Sequence, residues 1–294
     1  MTRDRVQDPA APRDIVPWSS VRDWAPIAAL LGRNVAALRG EVAALPDGIE
    51  GVALLEDGTP AAVGLWVAKG LTETGRCALT WLAGPAPGAL AIVDEMEARA
   101  RSAQARTLRV VERDAPGVGA KLEARGYQPA DAVVGMRRTR PRPPLALPAG
   151  LAEVGLEQVG LDAWAALEND AFAGVGFTVP VTAEDGARIV AAPGFDPKLL
   201  RFVVDADGAV GLLRGVVAPE REGEDEVETI AVASRARRRG LGRWLLRRCE
   251  ALLDAACARE VVLRVAASNA PALALYRAEA WVERWRRGAW ERAL

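Results

Sequence analysis

Arg237-Arg-Arg-Gly-Leu-Gly-Arg243 lies between a β-type run, Glu226 to Val232, and a run in which Leu241, Leu245, Cys249, Leu252, Leu253 and Ala256 recur at helical spacing. Glycines 240 and 242 have no Cβ, so the chain can turn sharply from strand to helix. It can then present consecutive backbone N–H groups to an anion at the positive end of the helix. That arrangement suits a pyrophosphate. No Gly-Lys-Ser/Thr follows, which excludes a Walker loop, and the third glycine and acidic ribose partner of a dinucleotide fingerprint are missing. Two plainer readings stay open. The Gly-x-Gly can be a tight turn, and the seven arginines between Arg235 and Arg248 can be a solvated helix face or a nucleic-acid patch.

Proton chemistry must come from other side chains than imidazole, because the sequence contains no histidine. Ser-His-Asp and Cys-His nucleophiles and His-ligated metals are thereby excluded. Strand alternation puts Glu226, Glu228, Ile230 and Val232 on one face and Val227, Thr229 and Ala231 on the other. Two carboxylates on one strand face repel, and with partial burial one of them is pushed toward working pH as a proton acceptor. The alternative is that both are solvated ends of an acidic loop. Tyr276, one of two tyrosines with Tyr127, can donate a phenolic proton or simply pack. Cys77, Cys249 and Cys257 form no C-x-x-C pair and are odd in number, so no disulfide framework or metal site is expected. Cys249 and Cys257 fall on the helix after the loop and read as core.

With these residues in order, the last seventy or so residues resemble the GNAT superfamily of acetyl-CoA-dependent N-acetyltransferases. The family's strand and loop motif is matched by Ile230-Ala-Val232 and Arg237-x-x-Gly240-x-Gly242. Its second motif is matched by Asn269, Ala272, Leu275 and Tyr276, with Ala280-Trp281 in place of a Gly-Phe pair. The resemblance implies that backbone N–H groups of Arg238, Arg239, Gly240, Leu241, Gly242 and Arg243 hold the CoA pyrophosphate, with Arg237 opening the motif. It implies that Ile230-Ala231-Val232 runs beside the pantetheine arm near Asn269, and that the Ile230 N–H polarises the thioester carbonyl. Glu226 stands at the family's base position, with Glu228 second. Tyr276 stands where the family protonates the leaving sulfur. Core cysteines make acetyl-cysteine chemistry unexpected.

The elements that must position these groups follow from periodicity. Four prolines between 141 and 148 forbid a helix or central strand, and mark a connector over 141–149 between residues 1–140 and 150–294. In the second part, a strand at Leu151 to Val154 precedes helices at Leu161 to Ala171 and Thr182 to Ala191, the latter N-capped by Thr182 and stopped at Pro193-Gly194. A hairpin, Leu199 to Val204 and Ala209 to Val217, leads to the Glu226 strand and the loop and helix described above. Strand Val261 to Val265, helix Ala270 to Glu279 and strand material from Ala280 to Arg292 close the chain.

The first part repeats this order: helix Val16 to Arg39, hairpin Gly51 to Leu55 and Ala61 to Val67, strand Cys77 to Leu82, helix Ala89 to Ala103, strand Thr107 to Val111, and helix Val118 to Arg125 ending at Gly126-Tyr127. Its equivalent loop is Ala83-Gly-Pro-Ala-Pro-Gly88, where two prolines remove N–H donors, and Leu122 falls near the tyrosine position. The expected fold is α/β, with two tandem GNAT-like mixed-sheet domains, the first a degenerate and non-catalytic copy that buries surface and walls the acceptor pocket. This layout resembles the two-domain acetyltransferases of the mycothiol synthase group, as do Asn169-Asp-Ala-Phe172 and Pro193-Gly-Phe-Asp-Pro197.

Composition fits an ordinary globular protein, 50% hydrophobic and 26% charged with net charge −1, and gives no global reason for nucleic-acid binding. No signal-type segment or membrane span is expected, and a reducing cytoplasm is the default. The expected activity is acetyl transfer from acetyl-CoA, without metal, to a small-molecule primary amine by direct attack in a ternary complex. The acidic residues Glu220, Glu222, Glu224, Asp225, Glu226 and Glu228 would favour a cationic acceptor. The alternative is an acyl-CoA-binding regulator without acceptor chemistry.

Overall fold

The structure, a computed structural model, describes residues 14–43, 45–140, 142–175, 178–192, 194–218 and 224–294. The first part of the chain forms β1 (Asp14–Pro17), α1 (Ala25–Leu31), α2 (Val35–Ala43), β2 (Ile49–Glu56), β3 (Thr59–Val67), α3 (Leu71–Thr74), β4 (Arg76–Ala83), α4 (Ala86–Ser102), β5 (Thr107–Asp114), α5 (Val118–Ala124) and β6 (Gln128–Arg138). The second forms β7 (Ala152–Val154), α6 (Leu156–Val159), α7 (Leu161–Phe172), α8 (Ala183–Ala191), β8 (Leu200–Asp205), β9 (Gly208–Val216), β10 (Asp225–Val232), α9 (Leu241–Ala255), β11 (Val261–Ala266), α10 (Ala270–Ala278) and β12 (Trp281–Ala293).

Two expectations need correction. Val16 to Arg39 is not one helix. Trp18 is buried and its indole N–H donates to the Val52 carbonyl at 2.8 Å, which draws that segment onto β2, and Gly32, at φ 59°, ends α1. A long strand, β6, also follows Tyr127 where none was expected. Elsewhere the expected elements are present. The Thr182 cap is a full capping box, in which Thr182 accepts from the Asp185 N–H and Asp185 from the Thr182 N–H. Pro193 lies outside the described residues.

All strands join one mixed sheet in the order β1-β2-β3-β4-β5-β12-β6-β11-β10-β9-β8-β7. The closing strands are exchanged between the two parts. β12 pairs antiparallel with β5, Ala289 opposite Val111, and β6 pairs antiparallel with β11, Leu263 opposite Met136, while β6 and β12 pair with each other.

Helices cover both faces. α4, α5, α9 and α10 lie on one, burying Cys77, Leu79, Leu108 and Val110 in the first part and Val134, Met136, Leu245 and Cys249 in the second. On the other face, α1 covers Ala53, Val63 and Ala83, and α7 packs on β9 and β10. Lys69, after β3, forms an ion pair with Asp185 of α8, and Arg138 of β6 holds Asp254 of α9 at 2.5 Å, so charge pairs also cross between the parts.

Candidate active site

Parallel strands β10 and β11 pair only at Asp225 with Val261 and Glu226 with Val262, then separate. Half of a strand's N–H and C=O groups point to each side. From Val227 onward, β10 therefore turns a row of unpaired backbone groups toward the gap. At the head of the gap the chain enters the loop and α9. Arg238 and Gly240 both have left-handed backbone, φ 67° and 80°. The N–H groups of Arg238, Arg239, Gly240, Leu241 and Gly242 donate to no acceptor among the described residues, and α9 has no side-chain cap. A Cβ placed on Gly240 would meet nothing within 4 Å. The loop is thus a cradle of free donors facing open space at a helix N-terminus, the requirement for holding a pyrophosphate.

A cavity of about 370 Å³ and a larger one of about 870 Å³ flank the centre of the sheet. The larger, on the α9 and α10 face, is lined by Ile230, Val232, Arg237, Arg238, Gly240, Leu241, Gly242, Arg243, Asn269 and Tyr276. Two residues grouped with them by sequence are absent from this lining. Ala231 is buried on the opposite face, and the exposed Arg239 reaches the loop through its backbone. Most of the arginine cluster is held within the protein. Arg235 pairs with Asp205, Arg243 and Arg247 with Glu279, and Arg248 with Glu153, while Arg237 donates to the Ala171 carbonyl. The Arg238 and Arg239 side chains make no hydrogen bond or ion pair among the described residues, which leaves two cations for a phosphate.

The facing of the β10 side chains differs from simple alternation. A bulge between Val227 and Thr229 shifts the β9 register, so Val227 opposes Gly215 while Thr229 opposes Arg214. Ile230 and Val232 consequently face α9, and Glu226 faces the other side, with Val216 and Thr229. Glu226 is therefore not on the face of Ile230 and Val232. The carboxylate and the loop address the gap from opposite sides of the sheet. The Arg264 guanidinium donates to Glu226. Burial pushes the Glu226 carboxyl above the ordinary carboxylate range, against the pull of Arg264, and the charge of Glu228 adds to the rise. Glu228, at the bulge, pairs with Arg214.

Tyr276 is 9% exposed, and its hydroxyl forms no hydrogen bond among the described residues. Burial pushes its phenol up to about 12, which keeps it a neutral proton donor. Its ring lies 6.4 Å from that of Trp281. Asn269 caps α10, accepting from the Ala272 N–H at 3.2 Å, and so shapes the cavity rim through the backbone. Cys249 is buried with its thiol pushed up, whereas Cys257 is exposed and not core; at φ 62° it occupies the turn that ends α9.

Sequence reasoning missed Glu168 and Arg264. Glu168, on α7, is pushed up by burial, accepts from the Trp164 indole at 2.8 Å and feels the charge of Glu228. No spacing motif links α7 to β10. Arg264 could have been found by strand alternation in β11, had the pairing of β11 with β10 been known. The acidic rim is not an open acidic surface. Glu224 pairs with Arg264 and Arg284, and Asp225 accepts from the Ala218 and Arg259 N–H groups, while Glu220 and Glu222 lie outside the described residues.

Residues 161–280 match the acetyltransferase (GNAT) family. The mycothiol acetyltransferase of Clavibacter michiganensis subsp. michiganensis is 40% identical over 135 residues, 46% of this chain and 44% of that protein. That of Clavibacter sepedonicus is 36% identical over the same shares. The matched stretch is thus less than half the length of either relative. Among solved structures, a tandem GNAT protein from the clavulanic acid biosynthesis pathway superposes with TM-score 0.67 at 16% identity, over 96% of this chain and 98% of that one. A GCN5-related N-acetyltransferase from Sphaerobacter thermophilus gives 0.66 at 21%, over 93% and 91%. These structures share the fold across both parts of the chain, and among the described residues no helix is long and apolar enough to cross a membrane. The part of the chain that holds the splayed strands, the donor loop and Tyr276 is thus the part that matches the acetyltransferase (GNAT) family.

Proposed function

We propose that the protein transfers an acetyl group from acetyl-CoA to a primary amine by direct attack in a ternary complex, in the cytoplasm. Residues 150–294 are the catalytic domain, 1–140 a non-catalytic GNAT-like domain and 141–149 the connector. The observation that carries this reading is the gap between β10 and β11, with free N–H donors on one face and a half-buried carboxylate on the other. Acetyl-CoA enters from the α9 face, its pyrophosphate on the N–H groups of 238–243 and its pantetheine arm along Ile230, Ala231 and Val232, past Asn269. The amine enters from the Glu226 face.

The nitrogen attacks the thioester carbonyl carbon, and the developing oxyanion is stabilised by a β10 N–H, that of Ile230. The C–N bond forms, the C–S bond breaks, and the nitrogen's proton passes to Glu226, with Glu228 as the second carboxylate beside it. Tyr276 gives its proton to the departing sulfur. Every role is filled without a metal or a covalent intermediate, and a buried Cys249 offers no thiolate. The relatives' name associates them with mycothiol, and the match to them covers less than half of this chain.

Thiol release from acetyl-CoA across a panel of amines tests the reading. Release is expected to need both substrates and to fall by roughly 10- to 100-fold in Tyr276→Phe with acetyl-CoA affinity kept. Acetyl-CoA binding with no amine-dependent release would instead favour an acyl-CoA-binding regulator.

A further inference from the structure

Glu226 stands at the last backbone pairing between β10 and β11, opposite Val262. Two residues further along β11, across the widening gap, is Arg264, which strand alternation puts on the same face as Val262 and hence as Glu226. Its guanidinium reaches back over the mouth of the gap, where Nη1 donates to Oε2 of Glu226. Nη2 lies 3.8 Å from Glu224, which also pairs with Arg284 of β12. The other oxygen of Glu226, Oε1, accepts no hydrogen bond among the described residues.

The fold gives Arg264 this direction. It opposes Gly135 of β6, and Gly135 in turn opposes Trp285 of β12. A Cβ on Gly135 would lie 2.1 Å from the Trp285 ring, so the indole covers the glycine. Directly opposed residues of an antiparallel pair project to one face, and Trp285 and Arg264 line the same cavity. With the β6 side filled by the indole, the Arg264 side chain extends toward β10. The ion pair is not needed to join the strands at Glu226, because backbone hydrogen bonds already do so there.

Resting on the acetyl-transfer reading, in which Glu226 takes the nitrogen's proton, we propose that Arg264 is the positioning residue of that base. From the opposite strand it fixes Oε2 and leaves Oε1 to receive the proton. Arg264 gives up no proton itself, since a guanidinium stays charged across the working range. Its charge also bears on when Glu226 is ionised. The charged groups facing Glu226 are Arg264 of β11, Arg33 from the segment between α1 and α2, and Glu228 of β10 itself. Arg214 of β9 pairs with Glu228, and Glu168 of α7 feels the charge of Glu228. The two cations favour the carboxylate, whereas burial and Glu228 oppose it. Loss of Arg264 therefore raises the pH at which Glu226 ionises.

Two readouts test this on the full-length protein. The ionisation of Glu226 is followed by carbon-13 NMR of glutamate-labelled protein, its carboxyl signal assigned by its loss in Glu226→Gln. The pH profile of kcat/KM is followed by thiol release. Arg264→Gln keeps a neutral donor, and is expected to raise the ionisation of Glu226 and the ascending limb of kcat/KM together by about one pH unit or more. Above that limb its kcat is expected to stay about tenfold or more below wild type, with acetyl-CoA affinity kept. Arg264→Lys keeps the charge and is expected to restore the ionisation and most of kcat. A role in stability alone would lower Tm in both variants and move neither the signal nor the limb, which overturns the inference. A wild-type plateau kcat in Arg264→Gln overturns it as well. A shifted Glu226 ionisation in a protein that binds acetyl-CoA but releases no thiol with any amine supports control of Glu226 by Arg264 and refutes acetyl transfer, so the two failures are distinct.

Discussion

The two halves of the chain use one plan to opposite ends. In the first, parallel strands β4 and β5 pair from Arg76 and Thr107 to Leu79 and Val110 and, after register shifts, again at Leu82 and Ala83; in the second, β10 and β11 part after Glu226 and Val262 and do not pair again. Both helices that follow begin near glycines, for different reasons. A Cβ on Gly84, at φ 117°, would lie 2.7 Å from the Ala61 carbonyl oxygen, whereas one on Gly240 would meet open space. Pro85 and Pro87 leave α4 with few N–H groups to offer, and α9 has a run of free ones. A closed strand pair and a packed turn make a core element, whereas a splayed pair and an open turn make a site. Family fold alone supplies neither.

The largest effect is expected where the open turn is closed. Gly240→Pro removes a donor and demands a negative φ at a residue with φ 80°. Acetyl-CoA affinity should drop by about 100-fold or more, measured by calorimetry. Retained affinity would break the comparison, since the second turn would then be packing as the first one is. Glu226→Gln comes next. It should lower kcat by roughly 10²- to 10³-fold with acetyl-CoA binding kept. Because burial raises the Glu226 carboxyl, wild-type kcat/KM should climb with pH above the ordinary carboxylate range as the base ionises. That limb should vanish in the variant.

Stability effects sharpen the same contrast. Gly84→Ala should cost about 2 to 4 kcal/mol through backbone clash and should lower Tm, while Gly240→Ala should cost only about 1 to 2 kcal/mol of left-handed strain. The smallest effect concerns the turn before the two exchanged strands. Gly126 has φ 84° and its counterpart Ala280 has φ 64°. Ala280→Gly should therefore stabilise by up to about 1 kcal/mol, and Gly126→Ala should destabilise by about as much, by denaturant titration.

Most elements were legible because their signals are local: the hairpin turn at Asp205 to Gly208, the Thr182 capping box, and the helical spacing from Leu241 to Ala256. The loop residues were legible because glycines between a strand and a helix have a short-range purpose. The segment around Trp18 was not, since burial against β2 overrides its local preference. β6 was not, because its strand partners come from the far end of the sequence. One bulge defeated the alternation argument in β10, moving Glu226 to the face away from Ile230. The cavity of about 370 Å³ brings Arg33, Arg109, Arg264 and Arg287 together from four separate segments, a grouping that only the tertiary fold creates.

The exchange of closing strands also sets an order on folding. β5 meets its β12 partner only after residues 289–293 have been synthesised, so the first half cannot complete its sheet while it emerges from the ribosome. Until then β5 is an unpaired edge, and β6 waits likewise for β11. Long-range pairings of this kind make folding slow and the partly made chain prone to association. The same interlock means that cutting the proline-rich connector would not release two independent domains. Each would leave with the other's closing strand missing.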